Sequence, residues 1–378
     1  MEREAPWALL GGLTPAQFMR RHWQKQPLLV RQAWPGVQPP ASRARLIQLA
    51  TQDDVESRVI EQRPGQAPAW QLRRGPFARR SLPPLSRPGW TLLVQGLDLH
   101  EQAAHEMLCR FRFLPDARLD DLMMSWASDG GGVGPHLDSY DVFLLQVQGQ
   151  RRWRIGPVAD ESIVEGLPVR ILQRFEPVQE WLLEPGDMLY LPPRWGHDGV
   201  AVGECMTCSI GFRVPSTDSL AAELLTRLAE EDDGRDRLYR DPAQPATQEP
   251  GRIPQALRRF AQQAVARRLA QPGLLDELLG EVLTEPKASV WFEPGEPAHS
   301  AAGIALHRRT RMMYDERHVF INGDSLRAGG RDARLMRQLA NERRLPASEV
   351  ARLSAGARDQ LTQWMQQGWV VPLEPGDG

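Results

Sequence analysis

A histidine and an aspartate one residue apart, His136 and Asp138, open the chemically most informative stretch of this chain, Gly134-Pro135-His136-Leu137-Asp138-Ser139-Tyr140-Asp141. On one extended strand the imidazole and the carboxylate share a face, because strand side chains alternate with period two. A second histidine, His197, follows the run Pro192-Pro193-Arg194-Trp195-Gly196. Two imidazoles and one carboxylate on one face of a metal leave the opposite positions open, as in non-heme Fe(II) oxygenases. Zinc accepts the same donors; the carboxylate and the open positions favour iron, but ligand type alone does not exclude zinc. The plainer alternative is three ordinary polar side chains with no metal between them.

Arg151 is the next candidate. In Gln150-Arg151-Arg152-Trp153-Arg154-Ile155, alternation puts Arg151, Trp153 and Ile155 on one face and Arg152 and Arg154 on the other. Arg151 is therefore carried inward with apolar neighbours. A buried guanidinium needs an anion, and a ligand carboxylate can meet it bidentately; a structural salt bridge is the competing explanation. On Cys205–Arg213, Thr207, Ser209 and Gly211 form a small, polar face with room for a ligand, while Cys208, Ile210 and Phe212 pack. Cys205 and Cys208 make a C-x-x-C by count, but on a strand they point to opposite faces, which favours packing over redox or zinc chemistry.

Asp129 and Tyr140 are candidates for contact with a substrate. Asp129 can meet a cationic side chain, with loop capping as the alternative. Tyr140, Trp126 and Trp195 can line a pocket or fill a core. Asp187 shapes a Pro-Gly turn, and His105 falls in a helical pattern and is structural.

These side chains need a scaffold of strands. Thr14 to Trp23 has a helical pattern, with Thr14 as N-cap and Pro15 at the first helical position, followed by an extended Pro27 to Val30. Residues 36–90 are rich in Pro, Arg and Gln and resist assignment. Trp90 to Val94 and Leu122 to Trp126 read as strands, with a helix over His100 to Phe111 between them. Gly130-Gly131-Gly132 is a flexible approach to the His-Asp pair. Asp141 to Val147 is a strand, Gly149-Gln150 a turn and Arg151 to Ile155 the returning strand. Trp181 to Leu183 and Met188 to Leu191 flank Pro185-Gly186-Asp187. Cys205 to Val214 closes the series. Short strands with Gly/Pro turns point to a sandwich or jelly roll, and a double-stranded β-helix would bring His197 to the His-Asp pair.

After Pro215 the pattern becomes helical. Ser219 to Glu230 and Ile253 to Leu269 are amphipathic and are separated by a proline-rich linker, Asp241 to Pro254. From about residue 275 helices alternate with short strands: Val319 to Ile321, helices near Asp332 to Arg343 and Ser348 to Gln367, then Trp369 to Leu373. That order fits a winged-helix-like module.

Composition narrows the class. The chain has 378 residues, 41% hydrophobic and 25% charged, with a net charge of -2. Its length calls for two or three domains. Overall charge gives no sign of nucleic-acid or membrane binding, and no apolar run approaches the roughly 20 residues of a membrane span. The N-terminal residues lack the apolar region of a signal peptide. Three cysteines make no disulfide framework and point to a reducing, cytoplasmic setting. The stretch 301–344 holds ten arginines against five acidic residues; a solvated helix face explains this, and RNA contact is the alternative.

Taken together, His136-x-Asp138, Asp141 to Gln146, Gly149-Gln150-Arg151-Arg152-Trp153, Gly186-Asp187-x-x-Tyr190-x-Pro192 and His197 resemble the JmjC/cupin ribosomal oxygenases. Within these they are most similar to the bacterial ribosomal protein L-sixteen arginine 3-hydroxylases. Trp23-Gln24-Lys25-Gln26-Pro27-Leu28-Leu29-Val30 and Trp90 to Gly96 fit the same pattern. The specific match covers roughly residues 12–215.

The resemblance implies a mainly β catalytic domain over 1–214, a double-stranded β-helix of the cupin/JmjC jelly-roll type. A helical dimerisation region over 215–275 and a winged-helix-like α+β domain over 276–378 would follow. It implies a hydroxylase that uses Fe(II), 2-oxoglutarate and dioxygen on an arginine side chain of a large-subunit ribosomal protein. His136, Asp138 and His197 would hold iron. Arg151 would bind the 2-oxoglutarate C5 carboxylate, assisted by Ser209. Many human members have lysine at the Arg151 position, so arginine favours the bacterial branch. A homodimer, contact with ribosomal RNA and a cytoplasmic location complete the expectation. The alternatives are a zinc-dependent cupin enzyme and a non-catalytic, ribosome- or RNA-binding cupin protein.

Overall fold

The computed structural model describes residues 5–63, 65, 69–231, 237–297 and 303–373. The signal-peptide reading of residues 1–4 and the first two residues of the arginine-rich stretch 301–344 lie outside them. The chain forms two compact units, 1–214 with 289–291, and 215–288 with 292–378.

In the first unit, helices α1 (Pro15–Arg21), α2 (Arg43–Leu49) and α3 (Gln102–Cys109) accompany nine strands. These are β1 (Leu28–Val30), β2 (Ser57–Gln62), β3 (Trp70–Arg74), β4 (Trp90–Val94), β5 (Leu119–Ala127), β6 (Val142–Pro157), β7 (Gln179–Leu183), β8 (Met188–Leu191) and β9 (Trp195–Phe212). They make one sheet in the order β1-β8-β6-β9-β5-β4-β2-β3, with β7 paired to β6. Helix α1 starts where its sequence dictates. The Thr14 hydroxyl accepts from the Gln17 amide (3.1 Å), the Gln17 side chain accepts from the Thr14 amide (2.9 Å), and Pro15 fills the first position.

The long pair β6–β9 organises the unit, antiparallel from Val142↔Gly211 to Pro157↔Trp195. Two expectations are corrected here. Gly149-Gln150 is not a turn: β6 runs straight through it, and the register shifts between Gln146, Gln148 and Gln150. Strand β6 carries one extra residue between Gln146 and Gln148, and β9 two between Met206 and Val202, so both strands bulge here. Gly149 has φ +63°, and a Cβ there would lie 2.1 Å from the Glu204 carbonyl oxygen, so the bulge requires glycine. The Gln146 side chain fastens it by donating to the carbonyls of Gln148 (2.8 Å) and Gly149 (3.2 Å). The last strand, moreover, begins at Trp195 rather than Cys205, so His197 lies within it.

Strands β7 and β8 do not pair with each other. They lie end to end along β6, β7 against Arg151–Ile155 and β8 against Val142–Leu145. Asp187 holds the turn between them, accepting from the amides of Gln32 (2.9 Å) and Glu184 (3.1 Å) and from Arg31 (2.6 Å). One face of the sheet packs a core that includes Phe18, Trp23, Phe111, Phe143, Tyr190, Ile210 and Phe212. Cys208 joins this core, while Cys205 packs on the opposite side with Ala127 and Ala201; both are free thiols.

The second unit holds α4 (Thr217–Glu230), α5 (Gln255–Leu269) and α6 (Leu274–Thr284), then β10 (Gly303–Leu306), β11 (Met312–Tyr314), β12 (His318–Ile321) and β13 (Asp324–Arg327). It ends with α7 (Gly330–Glu342), β14 (Arg344–Pro346), α8 (Ala347–Val350), α9 (Ala355–Gln366) and β15 (Val370–Pro372). Two three-stranded sheets, β14-β10-β15 and β11-β12-β13, pack with α7 and α9 around Leu306, Val319, Leu339, Leu345, Leu361 and Trp364.

The single helix expected over Ser348–Gln367 is two, because Ser354 caps α9. Its hydroxyl accepts from the Ala357 amide (3.2 Å) and donates to Asp332 (2.6 Å). The terminal strand β15 pairs with β10, far back in the chain, rather than in a terminal hairpin. Helices α4 and α5 are amphipathic as expected, yet α4 buries only Leu228 and α5 buries no residue. Leu225 is 51% exposed and Val265 58%.

Candidate active site

The face of the sheet away from the main core carries the candidate residues. On β6, burial alternates as expected: Arg151, Trp153 and Ile155 are buried, Arg152 and Arg154 exposed. Opposite them on β9 stand Ala201, Gly199 and His197. The two small residues leave space over the strands. A Cβ on Gly199 would lie 2.6 Å from the Trp153 ring, so only glycine allows that indole to lie against the backbone. The Trp153 ring centroid is 5.8 Å from that of His197 and holds it in place.

His136 and Asp138 are on the segment between β5 and β6, not on a regular strand, which corrects the shared-strand expectation. Pro135 cannot donate to a ladder, and Gly134 turns the chain with φ +80°. The segment is instead bound at two points, to β9 and to the residue that precedes it. His136 and His197 form an isolated bridge, and the Arg194 amide donates to the Asp138 carbonyl (3.4 Å). From the other side, Leu172 donates to the Pro135 carbonyl (2.9 Å).

This brings the three candidate ligands together. Ligand atoms of His136, Asp138 and His197 all lie within 4.8 Å of one another. His197 Nε2 is 3.6 Å from Asp138 Oδ2, and the two imidazole centroids are 4.1 Å apart. Each histidine is oriented through Nδ1, His136 to the Gly134 carbonyl (2.9 Å) and His197 to the Trp195 carbonyl (3.2 Å). With Nδ1 as donor, Nε2 is the free lone pair, the arrangement typical of metal-ligating histidines. Burial, then the neighbouring His136, push the His197 pKa down to about 4, so this imidazole is neutral and ready to ligate. The donor set fits a ferrous ion.

Arg151 is 6% exposed. Its Nη1 donates to the Ser125 hydroxyl at 3.4 Å, while Nε and Nη2 have no hydrogen-bond partner among the described residues. Its guanidinium carbon is 5.8 Å from the centre of the Trp153 ring. A buried cation with unpaired donors is costly unless an anion completes it, so Arg151 fits a dicarboxylate cosubstrate.

Ser209 is buried on β9 opposite Leu144, two residues beyond Thr207. No hydrogen bond joins it to Arg151 among the described residues; Ser125 on β5 makes that contact, and the sequence reading missed it. Strand β5 also holds Asp121, buried and accepting from Gln95 (2.7 Å) and the Gly96 amide (3.0 Å). Tyr140 is 39% exposed, and burial of its hydroxyl, then Asp138 and Asp121, raise its pKa. The sequence signal for Asp121 was the acidic pair Asp120-Asp121 leading into the apolar run Leu122-Met123-Met124. Asp129 is exposed, and its carboxylate accepts from the Gly203 amide (2.8 Å), the capping arrangement. Trp126 is in the main core, and Trp195 packs against the cluster around Leu144 and Trp153.

A JmjC-domain family profile matches residues 106–220, and a ROXA-like winged-helix profile matches residues 267–370. The chain is 34% identical to the Escherichia coli protein named ribosomal protein uL16 3-hydroxylase, over 75% of this chain and 74% of that one. It is 35% identical to a probable ribosomal oxygenase of Haemophilus influenzae, over 55% and 52% of the two chains. The structure superposes on that of the Escherichia coli ribosomal oxygenase YcfD with a TM-score of 0.82 at 28% identity, covering 95% of this chain and 98% of that one. The form of YcfD in complex with cobalt and 2-oxoglutarate gives 0.77 at 29% identity, with the same coverage.

Fold and site thus define a JmjC/cupin-type oxygenase with a C-terminal winged helix. Within that class the chain belongs to the ribosomal oxygenases, the family of the ribosomal protein uL16 3-hydroxylase.

Proposed function

We infer that the chain is an Fe(II)- and 2-oxoglutarate-dependent hydroxylase that adds a hydroxyl group to an arginine side chain of a large-subunit ribosomal protein. The observation that carries this reading is Arg151: a buried guanidinium with unpaired nitrogens, on the same sheet face as the His136, Asp138 and His197 cluster. Family membership supplies the substrate class.

When bound, iron with 2-oxoglutarate and dioxygen supplies oxidative decarboxylation to succinate and carbon dioxide, coupled to hydroxylation of the substrate C–H bond. The protein's own part is binding and orientation. His136, Asp138 and His197 would hold the metal. Arg151 anchors the distal carboxylate of 2-oxoglutarate, and Ser125 and Ser209 line that pocket. Asp129 and Tyr140 are the candidates to receive the substrate guanidinium; the exposed Asp129 carboxylate accepts one bond, from the Gly203 amide, and the buried Asp121 carboxylate two, from Gln95 and the Gly96 amide. Titrating 2-oxoglutarate into metal-loaded protein tests the assignment. Tight binding to the wild type that is lost in Arg151→Ala supports it. Stoichiometric zinc with no 2-oxoglutarate binding supports the zinc-enzyme alternative instead.

The division into a catalytic domain over 1–214, a dimerisation region over 215–275 and a winged-helix domain over 276–378 belongs to the same proposal. The exposed apolar side chains of α4 and α5 support a homodimer, because a second copy would cover them. Contact with ribosomal RNA and a cytoplasmic location follow from a ribosomal substrate. Among the described residues no helix is long and apolar enough to cross a membrane.

A further inference from the structure

The segment that resisted assignment from sequence carries a concentrated charge. Residues 61–97 contain six arginines, Arg63, Arg73, Arg74, Arg79, Arg80 and Arg87, and a single acid, Glu61. That is +5, in a chain whose net charge is -2, so the remainder carries -7. The structure divides the six arginines into two groups. Arg63, Arg73 and Arg87 converge on the buried Glu61 carboxylate, at 3.8, 3.2 and 3.1 Å. Arg73 also donates to the Ser81 carbonyl (2.8 Å), which ties the turn at Arg79–Ser81 to strand β3.

Arg74, Arg79 and Arg80 are exposed, and no ion pair engages them among the described residues. They lie on β3, the edge strand of the sheet, and on the turn fastened to it. At the start of β3 the half-buried Trp70 reaches the metal segment, since a Cβ on Gly134 would lie 2.9 Å from its ring. The strand that carries Arg74 therefore touches the metal segment at its first residue, Trp70.

We propose that this edge binds the phosphate backbone of RNA beside the active site, through Arg74, Arg79 and Arg80, with Trp70 as an adjacent stacking face. Charge complementarity selects a polyanion, because guanidinium groups pair bidentately with phosphate. The aromatic ring favours RNA over an acidic peptide, since exposed bases stack on such rings. The chain outside residues 61–97 carries -7 overall, but the stretch 301–344 within it carries +5, so the triple Ala variant is what assigns the contact to this edge. The proposal rests on the ribosomal-substrate reading, because RNA is what surrounds a ribosomal protein. It places the contact on the catalytic unit rather than on the arginine-rich stretch 301–344.

The test is fluorescence anisotropy with full-length protein, a labelled single-stranded RNA of about 20 nucleotides and, separately, a poly-glutamate peptide, over a salt series. RNA should bind with a steep salt dependence. Combined Arg74→Ala, Arg79→Ala and Arg80→Ala should lower the slope of log affinity against log salt by about 2, near 0.7 per phosphate contact. The three corresponding Lys substitutions should keep most of the slope. Hydroxylation of the free ribosomal protein should be unchanged in the Ala variant, which separates this proposal from the enzymatic reading. RNA affinity unchanged in that variant, no RNA binding at low salt, or poly-glutamate bound as tightly as RNA would each overturn it.

Discussion

His136 and His197 exchange both backbone hydrogen bonds, the His136 amide donating to the His197 carbonyl at 3.0 Å and the reverse at 2.9 Å. This reciprocal pair, with imidazole centroids 4.1 Å apart, holds the two candidate ligands together through the backbone. The pairing of β6 with β9 positions His197 for that bridge. Because the bonds are main-chain, they do not depend on the imidazole itself.

His136→Ala should therefore fold and still fail to bind metal. We expect a change in stability of about 1 kcal/mol or less, a few degrees in Tm, with metal-dependent turnover of 2-oxoglutarate abolished. Calorimetry and a metal titration check both halves. Unfolding of the variant would show that the imidazole, and not the backbone pair, holds the segment.

Gly134→Ala should weaken the metal site from outside it. The residue has φ +80°, and a Cβ would lie 2.4 Å from Ile171 Cδ1. Its carbonyl orients His136 through Nδ1. We expect about 1–3 kcal/mol of destabilisation from the backbone conformation and metal affinity lowered about 10-fold or more through the disturbed outer contact. Manganese titration of the purified variant is the check.

Replacing Arg151 should have opposite effects on the free and the cosubstrate-bound protein. Arg151→Met removes a buried charge with unpaired donors, so Tm without 2-oxoglutarate should rise or stay level. The stabilisation that 2-oxoglutarate gives the wild type, about 2.7 kcal/mol at a hundredfold excess over Kd, should disappear. Arg151→Lys should retain part of it, because an ammonium supplies charge without the planar fork. Thermal melts with and without 2-oxoglutarate read all three.

How much of this was legible in the residues follows from which interactions are local. Alternation along β6 placed Arg151, Trp153 and Ile155 inside, and the structure agrees, because strand period is a local property. The N-cap at Thr14 was visible for the same reason. The Gly149 bulge was hidden: Gly-Gln in a run of strand residues looks like a turn, and only the partner strand with its Glu204 carbonyl shows that it is not. Type and spacing suggested that His136 and Asp138 meet His197, and the structure brings the three together, but from a loop rather than a strand, because the pairing to β9 is long-range. Asp121 and Ser125 went unnoticed because their neighbours, Gln95 and Arg151, are distant in sequence.

The Pro-Gly-Asp turn between β7 and β8 gives a prediction for pH. Burial raises the Asp187 pKa, but the amides of Gln32 and Glu184 and the Arg31 guanidinium outweigh it and hold the carboxyl below its usual range. A depressed folded-state value means stabilisation that is complete above the unfolded pKa and lost as pH falls through the folded one. Asp187→Asn should thus be less stable than the wild type near neutral pH, and the gap should close as pH drops below about 4. Urea unfolding at several pH values measures it. A gap independent of pH would contradict the assignment.

Combined Leu225→Glu and Val265→Glu should convert the proposed dimer to a monomer, since both side chains are exposed on helices that bury almost nothing within their own unit. Light scattering at micromolar concentration reports the mass directly. A monomeric wild type would remove the dimer from the account.

The most direct test of the central claim is the mass of the substrate. The purified protein, Fe(II), 2-oxoglutarate and air are incubated with the large-subunit uL16 protein of the same organism, and the product is mapped by tandem mass spectrometry. A gain of one oxygen on an arginine, absent with His136→Ala, is the result predicted. An unmodified substrate and no succinate, from protein that binds both metal and 2-oxoglutarate, would contradict it.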